Sequence, residues 1–104
     1  MTIASSEYIA KKVDGSLVSL NIRIGFPELD PASNGADYRC KVEIPSLSFC
    51  EYSHGVDAVQ SLCLVVQCLK YALEPLISEG YKFYFPQDLE RELDLLSALL
   101  PTNS

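Results

Sequence analysis

Length and composition fit a small globular domain. The chain has 104 residues, of which 48% are hydrophobic and 21% are charged, so it can bury a core without metal or disulfide staples. We expect one domain that spans residues 1–104. Fourteen acidic residues against eight basic residues give a net charge of −6. Because nucleic-acid phosphates and anionic membranes repel an acidic surface, we expect neither nucleic acid nor membrane as a partner.

The cysteines and the first residues of the chain indicate its compartment. The chain has four cysteines, and residues 1–14 contain no apolar run of the kind that a secretion signal needs. The longest near-apolar run, residues 62–69, is far shorter than the roughly 20 residues of a membrane-spanning helix. We therefore expect a cytoplasmic protein whose thiols stay reduced, free and buried.

Residues 1–52 predict antiparallel strands. Apolar and polar residues alternate as they do in strands with one buried face. Asp14-Gly15 is a strong hairpin signal between the first two strands, and Pro45 ends the third. The predicted strands are residues 7–13, 18–24, 37–44 and 47–52, and a loop occupies residues 25–35. Together they predict a four-stranded antiparallel meander whose apolar face has to be covered.

The next segment, residues 55–79, predicts a long helix that packs on this face. Large apolar residues recur there at intervals of three and four, which is a helical spacing. They are Val59, Leu62, Val66, Leu69, Leu73 and Leu76.

The ends of this helix are marked by capping and breaking residues. We expect Ser53 or Gly55 to be the N-cap. Pro75 removes a backbone hydrogen bond, so a kink or a break is expected near Glu74. Gly80 is expected to stop the helix.

The rest of the chain predicts two short elements. Residues 81–86 are rich in aromatic residues, and we expect a short strand or an extended arm there. Asp88 is a good N-cap, and leucines recur on one face of residues 88–100, which predicts a C-terminal helix. The predicted class is therefore α+β, with a four-stranded antiparallel meander followed by a long helix packed on one sheet face, and with a short C-terminal helix.

The long helix carries more apolar surface than one sheet face can cover. Beside the large stripe runs a second stripe of small side chains, which are Ala58, Ser61, Val65, Cys68 and Ala72. A helix that lies on a sheet needs an apolar arc of only about 100°, so a second surface has to cover the rest. Either the C-terminal helix folds back onto this stripe, or a protein partner covers it, and the partner could be a second copy in a homodimer. The five residues are therefore candidate interface residues.

Motifs for catalysis and for metal or cofactor binding are weak. Cys50, His54 and Asp57 offer a nucleophile, a base and a carboxylate, but catalytic triads are usually assembled from distant segments. We therefore predict no catalytic residues and lean against an enzyme. Cys63 and Cys68 lie five residues apart and do not share a helix face, which argues against a metal site. With no glycine-rich phosphate loop either, we predict no metal and no cofactor.

Three segments are distinctive in combination. They are Ile24-Gly25-Phe26-Pro27, Asp37-Tyr38-Arg39-Cys40 and Gly55-Val56-Asp57-Ala58-Val59-Gln60-Ser61-Leu62. Together they resemble a family of small bacterial domains of unknown function with an IGxP strand end, a DWxC-like strand and a GVDxxQAL helix start. The chain departs from that pattern at Tyr38 and Ser61. The resemblance covers roughly residues 17 to 75, and it implies a bacterial, cytoplasmic, single-domain protein without supplying an activity.

These features favour a non-enzymatic protein-interaction or assembly module. One version is an immunity or antitoxin-like protein, because an acidic surface suits the inhibition of a basic toxin. The alternative is a small-ligand-binding domain or a minor enzyme with its site at residues 54–60, since a helix N-terminus suits an anion. The candidate ligand-binding residues are His54, Gly55, Asp57 and Gln60.

Overall fold

The structure is a computed structural model that describes residues 2–99 of the chain. Seven strands and three α-helices, joined by turns and loops, form this part of the chain. The strands are β1 (Thr2–Lys11), β2 (Leu17–Gly25), β3 (Glu28–Leu29), β4 (Tyr38–Ile44), β5 (Phe49–Gly55), β6 (Lys82–Phe85) and β7 (Asp88–Leu93). The helices are α1 (Ala58–Cys63), α2 (Val65–Ser78) and α3 (Leu95–Leu99). The strands form one antiparallel sheet, and the predicted α+β class is confirmed.

The sheet contains the predicted meander and extends beyond it. β1, β2, β4 and β5 pair in that order. β5 pairs with β4 along its whole length, so β2 and the two-residue β3 share the other edge of β4. β6 and β7 add two strands beside β1, which leaves β5 at one end of the sheet and β7 at the other. The predicted count of four strands is therefore wrong, because β3 is too short and β7 too charged to show alternation.

The first hairpin turns at Asp14-Gly15. Lys12 donates its backbone N–H to the carbonyl of Ser16 at 2.8 Å, and Gly15 donates to the carbonyl of Lys12 at 2.9 Å. Gly15 has a φ of 90°, which glycine adopts without a steric cost. These bonds close a three-residue loop, a common connection between twisted antiparallel strands.

Alternation along β4 defines the two faces of the sheet. Cys40, Val42 and Ile44 have no exposed surface, and they share one core with residues of α2. Arg39 and Lys41 point to the opposite side, named here the outer face. The sequence pattern of this strand correctly predicts which side chains face the core.

The long helix begins later than predicted and has one irregular residue. Gly55 is the last residue of β5, so Asp57 is the N-cap, rather than Ser53 or Gly55. Leu64 separates α1 from α2, but its N–H still bonds to the carbonyl of Gln60 at 3.0 Å. The two helices therefore form one nearly continuous helix.

This helix passes through Pro75 and stops at Gly80. α2 continues to Ser78, so it does not break near Glu74; a proline in the last turn removes only one bond of the helix. Gly80 has a φ of 91°, and its N–H bonds to the carbonyl of Ile77 at 3.0 Å. The predicted glycine stop is confirmed.

The C-terminal helix predicted over residues 88–100 is wrong for the first half of that range. β6 forms within the predicted arm, but residues 88–93 form β7 instead of the start of a helix over residues 88–100. Only α3 is helical, and position 100 lies outside the described residues. Phe83 of β6 pairs with Leu93, so pairing with a neighbouring strand overrides the local helical pattern.

One hydrophobic core lies between the helices and the sheet. Its buried members come from four strands, from α2 and from α3. They are Ala10, Leu20, Ile22, Cys40, Val42, Ile44, Val65, Leu69, Ala72, Leu73, Phe83 and Leu95. Leu95 of α3 is only 1% exposed, so the short C-terminal helix closes one end of this core.

Much of the long helix remains uncovered by the described part of the chain. Among the described residues, Ala58–Ser78 is the one helical stretch that is long and apolar enough to cross a membrane, by length and composition alone. Gln67 and Lys70 interrupt its apolar run, so the run itself is short although the average of the helix is apolar. Only 28% of its most apolar 18-residue window is buried. The helix contacts β4 and β5, and α2 also contacts α3, so the C-terminal helix covers part of it, as in one of the two alternatives expected.

Candidate functional site

The start of α1 is held by side chains that satisfy its own backbone. The Asp57 carboxylate accepts the N–H of Gln60 at 2.8 Å, as an N-cap does. The side-chain carbonyl of Gln60 accepts the N–H of Val56 at 2.7 Å. This reciprocal pair resembles a capping box. Both candidate ligand residues are therefore engaged in starting the helix.

Gly55 is required by a close contact between β5 and α1. A Cβ at this position would lie 2.5 Å from the backbone nitrogen of Ser61 and 2.9 Å from the backbone carbon of Gln60. Nearby, Ser53 donates its hydroxyl to the carbonyl of Ser61, which holds α1 against the strand. The glycine thus has a structural explanation that involves no ligand.

His54 is the remaining ligand candidate, and it faces solvent. Its side chain is 60% exposed, and its Nδ1 lies 3.3 Å from Oδ2 of Asp30. Asp30 also accepts the N–H of Ala32 at 3.0 Å, which starts the 3-10 turn at Pro31–Ser33. The contact between His54 and Asp30 therefore ties the loop after β3 to the end of β5.

Cys50, His54 and Asp57 are not brought together. Cys50 and His54 lie four residues apart on the extended strand β5, which separates them by about 13 Å at the usual rise of a strand. The carboxylate of Asp57 is used in the helix cap. Direct proton transfer between the thiol and the imidazole requires hydrogen-bond distance, so no Cys–His–Asp site is assembled here.

The stripe of candidate interface residues is turned toward the sheet of the same chain. Ser61, Val65 and Ala72 are 0%, 3% and 9% exposed, and Ala58 and Cys68 are partly buried. Small side chains on this side let α1 approach the sheet closely. These residues therefore contribute to the core of the chain, and most of their surface is not available to a partner.

Several large apolar side chains of the long helix take outward positions. Val59 is 70% exposed and Tyr71 is 74% exposed, while Leu62 and Leu64 are 37% and 38% exposed.

Of the large stripe predicted to face the sheet, Leu69 and Leu73 are buried in the core and Leu76 packs against it, so this part of the prediction is confirmed. Val59 and Leu62, near the start of the helix, face outward instead, because small side chains face the sheet there.

A groove lies between β5 and α2, and is named here the edge groove. It is lined by Phe49, Glu51, Tyr52, Cys68 and Tyr71 and encloses about 370 Å³. Among the described residues, β5 pairs only with β4, so the backbone N–H and C=O groups along its other edge have no strand partner. Backbone hydrogen-bonding groups and apolar side chains thus lie next to each other, which is how a sheet edge accepts an added strand.

The outer face next to β5 is polar, and its charges pair with each other. The Nε of Arg39 lies 2.8 Å from the Glu28 carboxylate, which raises the pKa of the guanidinium. The Arg39 guanidinium also lies 4.1 Å from the centre of the Tyr52 ring. Lys41 lies 3.7 Å from the Glu43 carboxylate. Because these cations already have acidic neighbours, they do not form a concentrated anion site.

The four cysteines are free but differ in exposure. Cys40 is buried and Cys68 partly buried, whereas Cys50 and Cys63 are exposed, so the prediction of buried thiols is wrong for the latter two. Burial raises the pKa of the Cys40 and Cys68 thiols, and the charge of Glu51 adds to the effect on Cys68. In the described part of the chain, no three His, Cys, Asp or Glu side chains are grouped as a metal site requires.

Comparisons with known proteins found no match. No family model, no curated protein and no solved structure matches this chain. The resemblance of its three segments to a family of bacterial domains therefore stays a prediction.

Proposed function

We propose that this protein is a non-enzymatic protein-interaction module that binds through the edge groove and the adjoining side of α2. The observation that carries the proposal is the exposed apolar surface of the long helix, of which only 28% of the most apolar window is buried. Large exposed apolar patches of this kind mark interaction surfaces in soluble proteins. The free edge of β5 adds backbone groups with which a partner strand can pair.

The shape of the edge groove favours a protein segment over a small ligand. The groove follows a strand of seven residues, and aromatic residues stand on both of its walls, Phe49 on β5 and Tyr71 on α2. Sites for small molecules are usually concave pockets that enclose most of the ligand. The alternative site at residues 54–60 has less support, because Asp57 and Gln60 already bond to the helix start.

The free thiols and the net charge bear on the location of the protein and on the charge of its partner. Four free thiols suit the reducing cytoplasm of a bacterium, which is the location that we propose. The proposal includes assembly with a second copy as well as binding of a different protein. For a different protein, the net charge of −6 favours a basic partner, as in an immunity or antitoxin-like role.

A capture experiment with two matched variants tests the proposal. Tyr71→Glu places a charge on a wall of the edge groove, and Leu89→Glu places the same charge on β7, where Leu89 is 48% exposed. We expect the tagged wild type and Leu89→Glu to retain the same proteins from a host lysate that also contains untagged copies of this chain. Tyr71→Glu should retain at least about fivefold less, because a central aromatic residue contributes strongly to binding.

The circular-dichroism spectra and unfolding midpoints of both variants provide the folding control. Equal retention by all three proteins, or no specific retention by the wild type, would contradict the proposal.

A further inference from the structure

We infer that the occupant of the edge groove is a second copy of this chain, paired antiparallel through β5 about a two-fold axis at Tyr52. The inference rests on the proposed function, because it names the partner of the same surface. A two-fold contact joins the same patch on both copies. Here it would join the free edges of two β5 strands, and the two sheets would continue as one.

β5 is the least protected free edge in the described part of the sheet. At the opposite end, β7 reads Asp-Leu-Glu-Arg-Glu-Leu and is charged at four of six positions, which is a common protection against edge pairing. The outer edge of β1 is also unpaired over residues 2–8, but mostly small and hydroxyl side chains line it. β5 presents Phe49 and Tyr52 with Glu51 as its one carboxylate.

The residue order of β5 suits pairing with itself in one register. Tyr52 is the middle residue of Phe49–Gly55, so an axis at this residue pairs the strand along its whole length. The other pairs are Glu51 with the partner's Ser53, Cys50 with the partner's His54, and Phe49 with the partner's Gly55.

This register opposes no like charges. An axis at Glu51 would set two carboxylates directly opposite each other and leave the end of the strand unpaired. Seven paired residues form about six to eight hydrogen bonds between the strands. The strand therefore complements itself best about Tyr52.

The same contact covers the apolar wall beside the strand. A two-fold axis between antiparallel edges is perpendicular to the sheet, so α2 and its copy lie on one face. Tyr71 and Cys68, which line the edge groove, then face the same residues of the partner. Because Tyr71 is 74% exposed in the single chain, its burial between the two helices would remove apolar surface from water.

Sedimentation velocity of the full chain at concentrations up to about 100 µM tests the self-association. We expect a reversible dimer. Tyr52→Asp would oppose two carboxylates at the axis, whereas within one copy the new carboxylate gains Arg39 and Lys41 as neighbours. Tyr52→Asn is the matched neutral control. The dimer of Tyr52→Asp should be at least about tenfold weaker than that of Tyr52→Asn.

A disulfide between the copies reports the register. His54→Cys places a thiol opposite the partner's Cys50, where directly opposed residues lie about 4.5–5.5 Å apart, within the range of a disulfide. Within one copy the two positions are about 13 Å apart, which excludes an internal bond. Under mild oxidation we expect a linked dimer of His54→Cys, and none when Cys50→Ser is added.

Each result decides between this inference and the broader proposal. A monomer at every concentration, equal dimers of Tyr52→Asp and Tyr52→Asn, or no link in His54→Cys would overturn the inference. If the chain nevertheless retained a different protein through a contact that depends on Tyr71, the proposed function would stand with another partner. If it retained neither that protein nor its own copy, both would fall.

Discussion

Asp14 shows how local geometry sets the ionisation of a single residue. Its carboxylate accepts the hydroxyl of Ser16 at 2.6 Å and the N–H of Ser16 at 2.8 Å. These two hydrogen bonds lower the pKa of Asp14 below its usual value, because they stabilise the charged form. A lowered pKa in the folded state contributes stability above the unfolded-state pKa, and this contribution is lost as the pH falls through the folded-state pKa.

We therefore expect an NMR titration to place the pKa of Asp14 below that of an unstructured peptide. Ser16→Ala removes the hydroxyl donor, so it should move the pKa of Asp14 upward while the hairpin remains folded. Unfolding measured against pH should show a smaller loss of stability on acidification in Asp14→Asn than in the wild type. An unchanged titration of Asp14 in Ser16→Ala would contradict this account.

At the same scale, residue type alone predicts some roles and not others. Asp57 is placed at the helix start from its sequence position, and the structure makes it the cap. Gln60 has no role that its position reveals, because its partner is the backbone N–H of Val56, which only the folded turn brings within reach. In the sequence, Tyr71 is an aromatic residue of the long helix that lies outside both predicted stripes. This position was the sequence signal for an outward apolar surface, and the Tyr71 side chain is indeed exposed.

The junction between β5 and α1 is the element that orients the long helix. Gly55→Ala would place a Cβ 2.5 Å from the backbone nitrogen of Ser61, so the strand and the helix would have to separate. We expect the free energy of unfolding to fall by about 1–3 kcal/mol, as for other overpacked sites. Urea unfolding measures the change.

The neighbouring Val56→Ala is the control for this prediction. Val56 is 68% exposed, so its truncation should change the free energy of unfolding by less than about 0.5 kcal/mol. Equal stability of Gly55→Ala and Val56→Ala would show that the close contact does not constrain the junction.

The C-terminal elements show the limit of local patterns. The spacing of Leu89 and Leu93 indicates a helix, yet both residues belong to β7. This segment pairs with β6 as a hairpin through Phe85 and Asp88, and this pairing outweighs the helical spacing of the two leucines. Among the described residues of this predicted helix, Leu95–Leu99 keeps the helical state.

On the scale of the whole molecule, net charge opposes self-association. Two copies that each carry a net charge of −6 repel each other, and salt screens this repulsion. The inferred contact about Tyr52 contains no ion pair between the copies that salt would weaken.

We therefore expect the dimer to strengthen by roughly two- to fivefold when ionic strength rises from about 0.05 to 0.5 M. Sedimentation equilibrium at the two salt concentrations measures the effect, with the neutral Tyr52→Asn variant as the reference for a contact of the same register. A dimer that weakens with salt would indicate an ionic interface, which β5 does not provide in this register.

By itself, the sequence determined the class of this protein, the alternation of β4, the first turn at Asp14-Gly15 and the stop at Gly80, because each depends on residues that are neighbours along the chain. Only the tertiary structure decided that small side chains face the sheet at the start of the long helix, that residues 88–93 pair as a strand, and that β5 ends the sheet beside an open groove. These features depend on packing and pairing between elements, such as the contact of Gly55 with Ser61 and the pairing of β6 with β7, whose energies outweigh local preference.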